Sequence, residues 1–543
     1  MADPVDAAGD AVKPYKIHIP TRHLELTKRK LEFTRLPHEG ADTGPKAWWE
    51  PKPEVEGLID FWTEKYQWRD QESVLNTAYS QFRTSLTIPD FGPIRVHFLH
   101  IPSPHVSARP LLLLPPFPFT NLSLIHLIQP LVSDPLQPFH LVIPSLPGLG
   151  FSDALPAPFT ASPIPPTAAL FNALMLRLNY PRYIATTTVP GTAVLDTTNI
   201  DWRLIRHLAT NHSTSCVAAN LISPPLSAPD MRSAPWEWTK WTVANFFRAG
   251  ILGYDDDDFV ALERDTGNRW IPDAPLKKEW KAGLGRVGEP GALGYALCDS
   301  PVGMLVYVLR ALRLLGMTGK LGEENGFWSR ERVITMTLLA WLPGPEHVLR
   351  LWAGCERWEE ERGETATSRP RVGVTVFGVD GPGDGYSCPN WANTEFEVLC
   401  TQRVKGGAKK GLLAFERPEV VLEGVRALAK VLVERDPKAF EREGVESGVP
   451  LEKIVVVKDE SPQVQVSVNA PLKGVPGILA TLTEENEEGK GKEKEKEKGK
   501  EVMEDGTFPA PPIIPGRDPI VDGESPDTLV EGKSKTPPLD KTT

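Results

Sequence analysis

Cysteine is scarce and unpatterned in this chain. Cys216, Cys298, Cys355, Cys388 and Cys400 make an odd set, and no two stand in a CxxC spacing. That argues against a disulfide framework or a zinc site, so no metal or cofactor is expected, and it favours a reducing compartment with the cytoplasm as default. No uninterrupted apolar run approaches the ~18 residues of a membrane span. The opening MADPVDAAGDAVKP lacks the basic-then-apolar order of a secretion signal. Positive charge is in deficit as well, with a net charge of −11 at pH 7, which speaks against a general binder of nucleic acid or anionic membranes. Histidine runs out early: the last of the eleven is His347.

What is present divides by composition. From Glu484 the text EENEEGKGKEKEKEKGKEVMED passes into a Pro-rich end at Thr543. Alternating charge with almost no apolar side chains cannot offset chain entropy, so residues 484–543 are expected to form a disordered tail. Residues 439–483, with KIVVVKD and VQVSVNAPL, form an extension of uncertain structure. Between Arg95 and Val433 short apolar runs alternate with helical periods. The candidate strands are IRVHFLHI, RPLLLLPPF, FHLVIPSL, RYIATTT, SCVAANLIS and RVGVTVFGVD. Several are nearly continuous in apolar content, as strands buried on both faces must be. Strands alternating with helices predict an α/β fold with a parallel sheet and right-handed crossovers. A Trp- and Leu-rich insertion over 228–351 is placed as a helical cap above the carboxyl edge of that sheet, where such folds hold ligands.

The segment YIATTTVPGTAV, residues 183–194, has the pattern strand, sharp turn, helix on which many α/β enzymes mount a nucleophile. At its apex stands Val189, followed by Pro190. Valine carries no nucleophilic atom, its branched Cβ resists φ > 0, and proline has no N–H to offer an oxyanion.

The stretch from Pro14 to Val433 resembles the microsomal-type epoxide hydrolases. The resemblance is carried by PYKIHIPTRHLELTKRKLEFTRLP, FWTEKYQWRDQESVLNTAYSQF, VIPSLPGLGFSD, YALCDSPVGM and FERPEVVLEGVRAL, in that order. It implies an α/β-hydrolase fold with a helical N-terminal extension. On this division residues 1–13 are a disordered N-terminus and 14–94 the N-terminal domain. Residues 95–227 and 352–438 make the two parts of the core, with the cap at 228–351 between them. The resemblance also implies a soluble member, with Trp62, Tyr66 and Trp68 packing the N-terminal domain.

In that family an Asp attacks the epoxide, cap tyrosines protonate the ring oxygen, and a His oriented by an acid activates water against the ester. The family's Gly-Gly-Asp-Trp-Gly, laid on the turn after RYIATTT, puts Val189 at the Asp. Asp196 lies seven residues on, about 10 Å along a helix at ~1.5 Å per residue. His-Gly-Trp-Pro-Gly falls on Pro115–Phe119, where Pro118 matches and Phe117 keeps an aromatic. The His falls on Gly411 or Ala408, beside Lys409 and Lys410, and the cap tyrosines fall on Ala282 and Ala340, with Trp341 retained. Asp380, in FGVD, occupies the place of the relay acid.

The first expectation is therefore an epoxide-hydrolase-like protein that is catalytically degenerate. Its capped pocket, with Phe117, Pro118, Val189 and Trp341 as lining, would take a small hydrophobic molecule. The alternative is an active epoxide hydrolase, or an epoxide isomerase or cyclase, using relocated residues. A third is a structural partner of an active paralogue.

Overall fold

The computed structural model describes residues 11–38, 50–156, 158–191, 199–266, 290–317, 321–322, 327–358, 369–379, 386–407 and 412–441. All lie within one compact unit, residues 1–476. The expected tail at 484–543 and the extension from 442 onward fall outside the described residues.

A nine-stranded sheet organises the chain. Its strands are β1 (Lys13–Pro14), β2 (Gln81–Ile88), β3 (Gly92–Ile101), β4 (Arg109–Leu113), β5 (Phe139–Pro144), β6 (Tyr183–Thr186), β7 (Cys216–Ile222), β8 (Arg371–Gly378) and β9 (Glu397–Gly407). Their order is β1-β2-β3-β5-β4-β6-β7-β8-β9. The run from β5 to β9 is parallel, while β1, β2 and β3 pair antiparallel and β3 meets β5 antiparallel. Central strands are apolar because both faces are covered: Leu111, Leu112, Leu113, Ile184 and Ala185 are fully buried. Each buried leucine contributes about 1.5–3 kcal/mol relative to exposure.

Three strands escape the apolar-run criterion, one of them the two-residue β1. β2 (QFRTSLTI) mixes buried with half-exposed positions, and β9 (EVLCTQRVKGG) stands at the end of the sheet, where polar side chains are tolerated. The first run picked out, IRVHFLHI, is antiparallel to both neighbours. Lys13, the last residue of the expected loose N-terminus, is paired with Arg83.

The helices fall into groups. α1 (Thr21–Glu32), α2 (Lys52–Glu64) and α3 (Trp68–Ala78) precede the sheet's main body. α4 (Ile128–Val132), α5 (Ile164–Arg177) and α6 (Ile200–Asn211) connect its strands. Between β7 and β8 come α7 (Pro235–Phe247), α8 (Asp256–Thr266), α9 (Pro290–Asp299), α10 (Pro301–Leu314), α11 (Arg330–Trp341) and α12 (Glu346–Arg357). α13 (Leu413–Glu416) and α14 (Pro418–Arg435) close the described chain. Proline starts several of these helices, where the missing N–H costs nothing. At α10 the Ser300 hydroxyl adds a cap by accepting the Gly303 N–H at 2.9 Å. α14 approaches the sheet closely because Gly424 has no side chain. A Cβ there would sit 2.9 Å from Thr375 Oγ1 and 3.0 Å from Gln402 Oε1.

Trp62, Tyr66 and Trp68 are buried packing residues. The N-terminal helices are tied to the later ones by polar contacts. Tyr66 OH and Thr335 Oγ1 lie 3.0 Å apart, Arg313 pairs with Glu50 and Glu54, and Lys30 pairs with Asp299. Among the described residues no single helix is long and apolar enough to cross a membrane.

Candidate functional site

The chain leaves β4 for β5 on one side and returns to β6 on the other, so the carboxyl ends of β4 and β6 frame the crevice where open α/β sheets bind ligands. Leu113 is in register with Thr186, the Leu114 N–H donates to Thr186 O at 3.0 Å, and Thr188 Oγ1 returns a bond to Leu114 O at 3.0 Å. The loop after β4 turns through a cis Phe117–Pro118 peptide, closed by Phe119 N–H to Pro116 O at 2.7 Å. Phe117 and Phe119 are buried.

The Thr-rich turn after β6 is used for packing. Thr186 Oγ1 donates to Thr187 O at 3.0 Å and Thr187 Oγ1 to Val189 O at 3.3 Å, and the Gly191 N–H donates to Ile222 O at 2.7 Å. Val189 is buried and is not in the left-handed region. The left-handed residue is Asn199 (φ 49°, ψ 45°), immediately before α6. The expected opening of a helix after the Pro-Gly break falls on residues 192–198, which lie outside the described set; the next described helix, α6, starts at Ile200.

This geometry brings forward a residue that sequence reasoning missed. Asp201, in the first turn of α6, is 8% exposed, and the Phe117 N–H donates to its Oδ2 at 3.1 Å. The signal was present in the sequence. Asp201–Trp202 repeats the Asp-Trp pair of the nucleophile pattern, though Asn199 and Ile200 stand before it and Arg203 after it where that pattern has glycines. It was hidden because the pattern was hung directly on the strand, and here the Asp-Trp pair comes well after it. The first turn of a helix also favours a carboxylate electrostatically.

Arg203 fastens this turn to α12. Its Nη1 donates to Cys355 O at 2.7 Å, and its Nη2 to Trp358 O at 2.7 Å and Ser162 Oγ at 3.3 Å. From α12, Trp352 packs edge-on against Phe117, with ring centroids 5.7 Å apart and planes at 67°. On the same helix a cleft of about 280 Å³ opens, lined by Pro147, Ala154, Leu155, Pro156, Phe159, His347, Arg350 and Leu351. None of the expected pocket residues Phe117, Pro118, Val189 and Trp341 lines it. Phe117 and Pro118 instead form the loop that meets Asp201. Trp341 is buried with its Nε1–H committed to Leu297 O at 2.9 Å, which holds α11 to α9.

The acid–base half of the expected machinery is only partly visible. Asp380, Ala282, Ala408, Lys409, Lys410 and Gly411 lie outside the described residues, and Ala340 is buried. His347 Nε2 sits 3.5 Å from Glu346 Oε1 at the cleft. Burial pulls the Glu346 carboxyl upward, yet the hydrogen bond from Cys298 and the nearby His347 and Arg350 charges leave it below its ordinary value. His126 is held against Ala414 O and the Phe327 and Phe415 rings, and burial lowers it to about 4, so it is neutral.

Two solved structures share this architecture. The juvenile hormone epoxide hydrolase of the silkworm Bombyx mori matches with a TM-score of 0.58 at 19% identity, covering 78% of this chain and 96% of its own. The epoxide hydrolase of Aspergillus niger matches with a TM-score of 0.53 at 19% identity, covering 78% and 97%. The fold is the α/β-hydrolase fold. Residues 12–124 match the model of the family described as "Epoxide hydrolase N terminus". A "Putative epoxide hydrolase" of Stigmatella aurantiaca is 27% identical over 442 residues, 76% of this chain and 84% of its own. "Epoxide hydrolase 1" of Sus scrofa is 23% identical over 465 residues, 79% and 91%. Together these findings support the epoxide hydrolase family for this chain.

Proposed function

We propose that this protein binds a small apolar epoxide at the carboxyl edge of β4 and β6 and opens it with Asp201, forming an ester that it hydrolyses slowly. The observation that carries the reading is the buried Asp201 carboxylate with one oxygen on the Phe117 N–H. Oδ1 forms the bond to an epoxide carbon while the ring C–O bond breaks. The ring oxygen leaves as an alkoxide and takes a proton from water. Oδ2, held by Phe117, becomes the ester carbonyl oxygen, and the same N–H is placed to stabilise the oxyanion when the ester is attacked.

What slows the second half is chemical. No histidine follows His347 in the chain, whereas the fold's base comes last in chain order. Weak activation of water leaves the ester to accumulate. The five cysteines are free, which supports a reducing, cytoplasmic setting.

The test is a panel of epoxides incubated with the full chain, reading intact mass, peptide mass and diol. The expected result is one epoxide mass on the peptide carrying Asp201, with little diol. Cys298 is the exposed thiol and gives the background site, suppressed because burial and Glu346 push it up to about 11. Modification confined to Cys298, or none, with no diol, overturns the reading in favour of the catalytically degenerate one.

A further inference from the structure

The Trp352 Nε1 is closed off from solvent and has no hydrogen-bond partner among the described residues, on a residue that is only 3% exposed. Buried donors are nearly always paired, and an unpaired one in a native fold calls for an explanation. Other buried indoles here are paired: Trp68 donates to Glu72 Oε1 at 3.1 Å, Trp328 to Glu416 Oε1 at 2.9 Å and Trp341 to Leu297 O at 2.9 Å. Trp358 and Trp391 share the unpaired condition. Among the described residues, Trp352 is the one of the three that packs on Phe117, and the Phe117 N–H holds the Asp201 carboxylate.

We propose that the Trp352 indole N–H is the hydrogen-bond donor to the epoxide oxygen during ring opening, a role that rests on the reading of Asp201 as nucleophile. A donor is needed there because charge develops on that oxygen as the C–O bond breaks, and Ala340 has nothing to offer. The indole keeps its own proton. It stabilises the alkoxide by hydrogen bonding until water supplies the proton, leaving hydroxide. The substrate class this favours is an epoxide with an apolar body, since the group packed on the indole is the Phe117 ring.

The experiment compares wild type, Trp352→Phe and Trp352→Tyr, full chain, with styrene oxide as probe. Three quantities are read: the rate of adduct formation on the Asp201 peptide, the half-saturating concentration, and the melting temperature with and without hexanamide, a neutral oxygen acceptor. Loss of one donor to a developing oxyanion is worth on the order of 100-fold in rate. The expected result is that Phe loses roughly this factor at similar half-saturation, while Tyr, which keeps a donor, recovers part of it. A purely structural indole predicts the reverse order, because Phe buries no unpaired polar atom and Tyr does. Equal rates in wild type and Phe, with Asp201 still modified, overturn the Trp352 role and leave the Asp201 reading standing. If wild type forms no adduct, the Asp201 reading fails. The hexanamide stabilisation then decides whether the N–H binds an oxygen at all, and its persistence in Trp352→Phe overturns the proposal. Should Phe fail to fold, the wild-type and Tyr rates carry the comparison, and a rate in Tyr equal to the uncatalysed background overturns it.

Discussion

Two buried aspartates sit in the first turns of two helices and serve different ends. Asp258, in α8, is fully buried and held by Tyr386 OH at 2.6 Å and Arg403 Nη2 at 3.0 Å, with the aromatic cluster of Trp241, Tyr254, Phe259 and Trp391 beside it. Asp201, in α6, takes a backbone N–H from the loop after β4, at the switch point of the sheet. The first contact joins a cap helix to β9 through a charge pair and a phenol, which fixes both oxygens for structure. The second places a carboxylate where ligands of this fold arrive, with one oxygen on the kind of donor that stabilises an oxyanion. Burial alone therefore does not separate the two acids; the proposed reactivity of Asp201 rests on its backbone partner and its place on the sheet.

The sharpest way to break this contrast is to neutralise each acid. Asp201→Asn is expected to lower epoxide adduct formation roughly 1000-fold or more with little change in melting temperature. Asp258→Asn is expected to leave the adduct on the Asp201 peptide and lower the melting temperature. Peptide mapping alongside a thermal scan reads both, and equal adduct loss in the two variants would erase the distinction. Next in size, Arg403→Leu leaves a buried carboxylate without its cation. Removing one partner of a buried pair costs about 3–5 kcal/mol, and the 31% exposure of the Arg403 side chain places the expected loss nearer 2–3 kcal/mol by urea unfolding. A loss below ~0.5 kcal/mol would mean that the pair is a surface contact in energetic terms.

Acid dependence gives a third measure, spread over the core. Burial lowers His97 to about 3 and His100 and His126 to about 4. All three are neutral in the fold, while the unfolded chain protonates near pH 6.5. The unfolded state thus binds more protons between pH 6.5 and 4. Stability is complete above that window and is lost as pH falls through it, by up to ~1.4 kcal/mol per pH unit per histidine. Unfolding curves at pH 7.5, 6 and 5 check this, and His97→Gln is expected to reduce the slope by about one histidine's share. The smallest effect is expected at Val189→Ala. It removes buried methyls at a cost of about 1–2 kcal/mol and, with Asp201 as the proposed attacking group, leaves adduct formation unchanged. A fall in rate as large as that of Asp201→Asn would return the site to the turn after β6.

The sequence by itself determined an α/β architecture with a largely parallel sheet, and its resemblance to the epoxide hydrolases implied the α/β-hydrolase form of it. Near-continuous apolar runs such as RPLLLLPPF have one stable use, as strands covered on both faces, and helical periods between them dictate parallel crossovers. It also determined that residues 348–543 contain no histidine, since that is a matter of inventory. The edge strand β9 was less legible, because a strand at the end of a sheet has no need of an apolar run. What only the tertiary structure decided is which acid meets the loop after β4. Local spacing, counted from β6, put the nucleophile position on Val189 and set Asp196 too far along to replace it. The hydrogen bond from Phe117 to Asp201 joins residues 84 apart in sequence, and such a contact is fixed by sheet order and helix placement rather than by neighbouring residues. The same holds for the Trp352 indole, whose lack of a partner becomes visible only once α12 is packed against that loop.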